Sequence, residues 1–331
     1  MKALLNSLVE YQSLTEQEAY NLIMHVNNQE FNPAQLAAIL ICYEMRTLSL
    51  NELKGFRSAL LESSTKIDLS AYNAIDIVGT GGDGKNTFNI STLACFVVAG
   101  AGYKVAKHGN FGSTSVSGAS NVLEHLGIRF TMDEGLLQKS IEKSGVAYLH
   151  APLFNETMKF VAPVRKSLGV RTLFNILGPL INPANPAKIL LGVYNLKLAR
   201  LYAYVYQQMQ QEYTIVNSLD GYDEISLTSP FKTIQVSGEK VFTPEELGFC
   251  TVSQSALDGG SSVADAARIF MDILEGKGTQ ARKQSVILNA AFAIQTLSPE
   301  MKITEAIDKA SYSLESGAAK KAFSIFHQIN T

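Results

Sequence analysis

The sequence predicts an α/β protein in two parts, a small N-terminal all-helical domain over residues 1–70 and a larger α/β domain, built mainly on a parallel sheet, over residues 71–331. Three observations predict it. Residues up to about Leu61 carry helix punctuation and no strand pattern. A β-rich run, Ile75-Asp76-Ile77-Val78, then ends in the glycine loop Gly79-Thr80-Gly81-Gly82-Asp83-Gly84. Beyond it, short apolar runs of strand type alternate with helical segments, as in a parallel α/β unit.

In the N-terminal part, Thr15-Glu16-Gln17-Glu18 has the form of a capping box, and Asn32-Pro33 and Ser49-Leu50-Asn51-Glu52 mark two further helix starts. Leu36, Ile39, Leu40 and Tyr43 fall at helical spacing. So short a segment encloses little by itself, so its spare apolar face should pack on the rest of the chain or on a second copy. A helical return near residues 160–182 is a candidate addition to it. In the larger part, Leu93 to Ala101 reads as a helix, Tyr103 to Ala106 as a strand, Asn121 to Leu126 as a helix and Val146 to Leu149 as a strand. Later strands are expected at Ile189 to Val193 and Ile215 to Ser218, followed by helices at Ala264 to Leu274, Ala281 to Thr296 and Ile303 to Ser316. Tyr202, Tyr204 and Tyr206 alternate along a further helix, where packing explains them better than base stacking.

Composition excludes several function classes. The 331 residues include 46% hydrophobic and 18% charged side chains, with 24 Gly and 9 Pro, which is neither disordered nor collagenous. A net charge of −2 and a pI near 6.2 leave no basic field for nucleic acid, so any phosphate site must be local. The three cysteines, Cys42, Cys95 and Cys250, show no metal or redox spacing, and no stretch of about 18 apolar residues occurs. A cytoplasmic protein is expected, with no membrane partner. His25, His125, His150 and His327 show no metal-ligand spacing and read as structural or surface groups.

The glycine loop nearly fits two familiar templates and satisfies neither. A dinucleotide site wants an acidic residue about 20 residues on, and the second strand instead runs into Lys107. A P-loop wants Ser or Thr after its lysine, and Lys85 is followed by Asn86. What remains is backbone N–H groups free to approach an anion such as a diphosphate, with a plain tight turn as the bland alternative. Asn86-Thr87-Phe88-Asn89-Ile90-Ser91-Thr92 adds five amide or hydroxyl side chains at a helix mouth, where caps are also common. Lys107-His108-Gly109-Asn110 then resembles the second half of an anion pocket, and Asp223-Glu224 after a strand suits magnesium.

Taken together, Gly79-Thr80-Gly81-Gly82-Asp83, Asn89-Ile90-Ser91-Thr92, Lys107-His108-Gly109-Asn110, Val161-Ala162-Pro163-Val164-Arg165, Arg171-Thr172-Leu173-Phe174-Asn175, Leu177-Gly178-Pro179-Leu180 and Asp223-Glu224 closely resemble the anthranilate phosphoribosyltransferase family of the tryptophan pathway. The similarity covers nearly the whole chain. It implies a fold of the nucleoside phosphorylase/phosphoribosyltransferase type, usually a homodimer through the helical part. It also implies transfer of the phosphoribosyl group of 5-phosphoribosyl 1-diphosphate to the amine of anthranilate, with Mg2+. Carried over by position, the donor would be held by Gly79, Gly82, Asp83, Thr87, Asn89, Ile90, Ser91, Thr92, Lys107, His108, Gly109, Asn110, Phe111, Gly112, Ser113, Thr114, Ser115 and Ala119. Anthranilate would meet Gly79, Asn110 and Arg165, with Lys107, Asn110 and Arg165 the residues of the chemistry, and Ser91, Asp223 and Glu224 would serve the metal.

The chain departs from the family's pattern in places. Phe111 stands where an arginine is usual, Val116 where a lysine is, and Ala119 where a serine is; Asn155-Glu156 replaces a His-Pro pair on the acceptor's route. These changes bear on the acceptor more than on the donor. Two other classes fit parts of the pattern: a pyrimidine nucleoside phosphorylase on the same scaffold, and a nonenzymatic paralogue that binds nucleic acid. Arg165 and the Asp223-Glu224 pair favour the transferase over the first, and the net charge disfavours the second.

Overall fold

The structure, a computed structural model, describes residues 2–112 and 116–331; the expected donor residues Ser113, Thr114 and Ser115 lie outside the described residues. The chain divides into two compact units. The first combines the residues up to Lys66 with Ala151–Pro183, and the second combines Ile67–His150 with Ala184–Thr331.

Helices α1 (Lys2–Val9), α2 (Glu16–Asn27), α3 (Pro33–Met45) and α4 (Leu50–Glu62) open the first unit. Thr15, Asn32 and Ser49 each cap the helix that follows, and Glu18, Gln35 and Glu52 reach back to complete three capping boxes. Local chemistry of this kind is why these starts are visible in sequence. Leu22, Leu36, Leu40, Leu53, Phe56 and Leu60 are buried and form the apolar interior. A charge lies among them: Glu52 is fully buried and accepts from the Leu14 amide at 3.0 Å, the Ser49 amide at 2.9 Å and the Arg46 guanidinium. Burial alone would raise this carboxyl, but the Arg46 and backbone hydrogen bonds outweigh it and hold it below its ordinary value.

The second unit begins with β1 (Ile75–Gly79), α5 (Ile90–Gly100), β2 (Val105–Gly109), α6 (Ala119–His125), α7 (Glu134–Ser144) and β3 (Val146–His150). The chain returns to the first unit for α8 (Ala151–Phe154), α9 (Glu156–Leu168) and α10 (Leu173–Leu177). It then completes the second with β4 (Lys188–Gly192), α11 (Leu196–Gln208), β5 (Glu212–Ser218), β6 (Phe231–Gln235), β7 (Gly238–Phe242), α12 (Val263–Leu274), α13 (Gln280–Leu297), α14 (Ile303–Glu315) and α15 (Ala318–Asn330). The sheet runs β3-β2-β1-β4-β5-β6-β7; the pairs from β3 to β5 are parallel and the last two antiparallel.

Differences from the sequence reading have local causes. The second strand starts at Val105 rather than Tyr103 because Gly102, with φ +92°, makes a turn there. The β6–β7 hairpin is mostly polar on its outer strand, so it carried little apolar signal. On α11, Tyr202 and Tyr206 are buried and stacked at 6.1 Å while Tyr204 is exposed, which makes the first two packing residues. Helix α5 is buried almost all round, with Phe96 edge-on to Phe270, Phe323 and Phe326. No helix among the described residues is long and apolar enough to cross a membrane.

Candidate active site

Strand order reverses between β1 and β4, and open α/β sheets bind ligands where this happens, at the carboxyl ends of the strands. Gly79 and Gly192 end these two strands in register with each other. After Gly79 the chain enters the left-handed region at Gly81, Gly82 and Gly84, with φ of +66°, +74° and +73°. A Cβ at Gly81 or Gly84 would meet nothing within 4 Å, so it is the backbone conformation that demands glycine there.

The Asp223-Glu224 pair folds back onto this loop. Gly81 N–H donates to Asp223 Oδ2 at 2.6 Å, and Ser91 N–H donates to Glu224 Oε1 at 2.8 Å. Asn89, at the N-cap of α5, makes no side-chain cap, so Glu224 supplies the acceptor that the helix start lacks. Asp83 Oδ1 accepts from the Lys85 amide at 2.9 Å, while its buried Oδ2 has no donor among the described residues. The Oδ1 of Asn89 and the hydroxyls of Thr80 and Ser117 are likewise buried without partners.

Three carboxyl groups therefore sit together with few donors. Burial, reinforced by the charges of Asp83 and Glu224, raises the Asp223 carboxyl well above the usual range, against the Gly81 amide. Glu224 is pushed up to about 7 by burial and by Asp83, with the Ser91 amide and Lys107 opposing. Burial also raises Asp83 against the Lys85 amide. Oxygen donors in surplus negative charge suit a hard divalent cation such as Mg2+, with Ser91, Asp223 and Glu224 as the residues to hold it. Among the described residues no three His, Cys, Asp or Glu side chains are grouped so as to hold a metal ion by themselves.

The remaining donor residues fall into two linked loops. Thr87 pairs with Asp258 in an isolated bridge, and Ile90 and Thr92 are buried on α5, so only the main chain of Ile90 faces polar partners. Lys107 is almost fully buried, and its ammonium donates to the Ile77 carbonyl at 2.5 Å and more weakly to Ser91 Oγ at 3.5 Å. Its charge thus lies under the end of β1, beside Ser91. The His108 amide donates to buried Asp76, and Gly109 lies so close to Tyr148 that a Cβ would come within 2.2 Å of its hydroxyl. Asn110 accepts from the Ser120 amide through its carbonyl and from the Phe111 amide through Oδ1. Asn121 Oδ1 accepts from both Gly112 and Gly118, each at 2.9 Å, which pins the two ends of that loop just before and at the start of α6, where Ala119 is the first residue. Asn89 Nδ2 donates to the Ser117 carbonyl at 3.3 Å and joins this loop to the mouth of α5.

Phe111 packs edge-on against His150 at 4.8 Å, and His150 stacks on Phe130 at 4.3 Å with Nδ1 2.8 Å from Ser120 Oγ. Burial pushes this imidazole down to about 4, so it is neutral near pH 7. The aromatic side chain at 111 is thus packed against a neutral ring system.

Arg165 belongs to the other unit, on α9. Its Nη2 donates to Asn175 Oδ1 at 3.2 Å, its guanidinium lies 5.9 Å from the Phe174 ring, and its Nε is buried with no partner among the described residues. Burial lowers its pKa. An aromatic carboxylate is the kind of ligand such a group recognises. Asn155 is buried; it caps α9 by accepting from the Met158 amide at 3.0 Å and donates to the Leu60 carbonyl at 2.8 Å. Glu156, next to it, is exposed.

Sequence reasoning missed Gly192. A Cβ there would lie 1.6 Å from the Asp223 carbonyl oxygen, and one at Gly79 would lie 2.4 Å from Asp223 Oδ2. Both strand ends must be bare for Asp223 to lie across them. A lone glycine closing a strand gives no sequence signal of what crosses it.

Comparison with known proteins gives the family of the chain. Residues 71–320 match the family model described as glycosyl transferase family, a/b domain, and residues 2–64 match the helical bundle domain of the same family. The chain is 54% identical over 330 residues to the anthranilate phosphoribosyltransferase of Bacteroides fragilis, covering 100% of both chains, and 50% identical over 330 residues to that of Flavobacterium psychrophilum, again over 100% of both. Among solved structures, the anthranilate phosphoribosyltransferase of Thermus thermophilus superposes with a TM-score of 0.89 at 31% identity, over 98% of each chain. The Saccharomyces cerevisiae enzyme in complex with PRPP and Mg gives 0.89 at 28% identity, over 99% of this chain and 98% of that one. With family models matched across both of its parts and relatives of more than half identity along its whole length, the chain belongs to the anthranilate phosphoribosyltransferases of the glycosyl transferase family.

Proposed function

We propose that this chain transfers the phosphoribosyl group of 5-phosphoribosyl 1-diphosphate to the amine of anthranilate, giving N-(5-phosphoribosyl)anthranilate and diphosphate in tryptophan biosynthesis. The observation that carries the reading is the meeting of Asp223 with the Gly81 amide and of Glu224 with the Ser91 amide. These contacts gather a glycine loop, a helix N-terminus and a carboxylate pair at the sheet's switch point. In the reaction the bond from the ribose C1 to the diphosphate oxygen breaks and a bond from C1 to the amine nitrogen forms, with loss of one proton from that nitrogen.

Gly79, Gly82, Asp83, Thr87, Asn89, Ser91 and Thr92, with the His108 to Gly112 segment, bind and orient the donor. Magnesium, when bound by Ser91, Asp223 and Glu224, supplies positive charge to the departing diphosphate. Lys107 adds a fixed positive charge beneath Ser91, where the leaving group becomes more negative. Asn110 and Gly79 position the amine, and Arg165 pairs with the anthranilate carboxylate. The aniline nitrogen keeps its lone pair at neutral pH, so orientation matters more than a strong base. A homodimer formed through the helical unit, where Val9, Tyr11 and Met45 are exposed, and a cytoplasmic location complete the proposal.

The test is loss of anthranilate fluorescence on mixing protein, magnesium and 5-phosphoribosyl 1-diphosphate. Loss that requires all components, and is abolished by Asp223→Asn, supports the transfer. Constant fluorescence with calorimetric binding of the donor means a different acceptor, and neither signal overturns the reading.

A further inference from the structure

The Asp223-Glu224 segment needs an anchor. It lies beyond the end of β5, outside the sheet, and its carboxyl groups accept from the Gly81 amide (Asp223) and the Ser91 amide (Glu224). Three side chains fasten the main chain next to it. Ser218 Oγ donates to the Glu224 carbonyl at 2.7 Å and accepts from the Ser226 amide at 3.2 Å. Ser285 Oγ lies 3.2 Å from the Ser226 carbonyl and 3.0 Å from the Ala281 carbonyl, and its one hydrogen is shared between them. Asn289, on α13, grips Ile225 from both sides: its Oδ1 accepts from the Ile225 amide at 3.1 Å, and its Nδ2 donates to the Ile225 carbonyl at 2.9 Å.

The carboxamide of Asn289 is fully used and its orientation is forced. An amide N–H can only donate and a carbonyl can only accept, so Oδ1 must face Ile225 N and Nδ2 must face Ile225 O; the second Nδ2 hydrogen goes to the Ser285 carbonyl at 2.8 Å. Asn289, Ile225, Ser285 and Ser218 are all buried, so water offers no substitute. One side chain thus pairs with a residue as a neighbouring strand would, at a point where the segment has left the sheet.

We infer that Asn289 is a positioning residue for the cation and leaving-group end of the site, acting through the main chain of Ile225 on the Asp223-Glu224 pair. This rests on the reading of that pair as magnesium ligands. Outer partners that orient metal ligands typically change metal affinity ~10–100-fold when replaced. Aspartate at position 289 is the sharp probe, because it keeps an acceptor for the Ile225 amide and turns an oxygen on the carbonyls of Ile225 and Ser285.

The experiment uses the full chain and two readouts: the magnesium concentration for half-maximal rate at saturating donor and anthranilate, and direct Mn2+ binding by calorimetry with donor present. The control is Thr296→Val, on the same helix as Asn289, which removes a buried hydroxyl pair with Thr214 of β5. We expect Asn289→Asp to weaken both metal readouts ~10-fold or more, with the anthranilate KM within about twofold and Thr296→Val unchanged in both. Metal readouts unchanged in folded Asn289→Asp, or weakened equally in Thr296→Val, overturn the inference. If Asn289→Asp gives no cooperative melt, Ser218→Ala, which frees the Glu224 carbonyl, is read by the same criteria. A parent chain that neither needs magnesium nor binds Mn2+ overturns the underlying reading instead, so the two failures are distinguishable.

Discussion

The carbonyl oxygen of Asp223 lies 1.6 Å from where a Cβ on Gly192 would stand, so the last residue of β4 leaves room only for the main chain of Asp223. Gly192→Ala must therefore displace the Asp223 main chain or the strand end. Overpacking of this kind costs about 1–3 kcal/mol. We expect a lowered melting temperature together with a raised magnesium requirement, read by thermal unfolding and by rate against magnesium concentration. A fully active, metal-normal variant would show that the pair tolerates displacement.

Asp223→Asn separates stability from function. The exchange removes one of three crowded carboxyl groups and places an N–H near the Asp83 carboxyl. The Gly81 amide keeps an acceptor. The melting temperature should hold or rise, while turnover falls ~100-fold or more because charge stabilisation of the leaving group is lost. Calorimetric scanning and the fluorescence assay check the two halves.

Arg165→Ala should raise the anthranilate KM and leave donor binding alone. A charge-assisted contact to a carboxylate contributes about 1.5–3 kcal/mol, or ~10–100-fold. Arg165→Lys should recover little of it, since an ammonium lacks the planar fork that also reaches Asn175. Steady-state kinetics with each substrate varied in turn distinguishes this from a general loss.

His150 makes the fold acid-sensitive. The folded imidazole titrates near 4 and the unfolded one near 6.5, so the unfolded chain takes up the proton first. The neutral ring's contribution is intact above pH 6.5 and is lost as the pH falls from there to about 4, by up to about 2 kcal/mol after allowing for solvent screening. His150→Phe should show a flatter fall in stability between pH 6.5 and 4 than the parent, measured by urea unfolding at each pH.

In the helical unit, Glu52→Gln breaks the pair with Arg46 and leaves the guanidinium half-compensated in the interior. Removing one partner of a buried ion pair costs about 3–5 kcal/mol. Urea unfolding should show a lower midpoint with unchanged slope.

What the sequence revealed depended on how local each signal was. Thr15, Asn32 and Ser49 cap their helices within three residues, so their spacing alone identified the starts. Ile75 to Val78 and the adjacent Asp223-Glu224 pair were equally compact signals. Gly192, Ser218 and Asn289 escaped notice because each acts on a segment elsewhere in the chain, and a single Gly, Ser or Asn has no pattern. The helix-capping contacts of Asn155, to the Met158 amide and the Leu60 carbonyl, were not visible in its sequence position. The β6–β7 hairpin hid because edge strands carry polar residues on both faces.

The insertion of Ala151–Pro183 between the two halves of the α/β unit also sets a timetable for synthesis. β1 gains its partner β4 only after residues 80–187 have been made, on the order of 5–20 s at typical ribosomal speed. Until then the glycine loop emerges without the strand beside it or the carboxylates that face it. A chain released early would carry the loop without the carboxylates that cross its strand ends. A single cut after Lys66 leaves every residue of the α/β unit on one fragment but divides the first unit, whose Ala151–Pro183 lies beyond the cut.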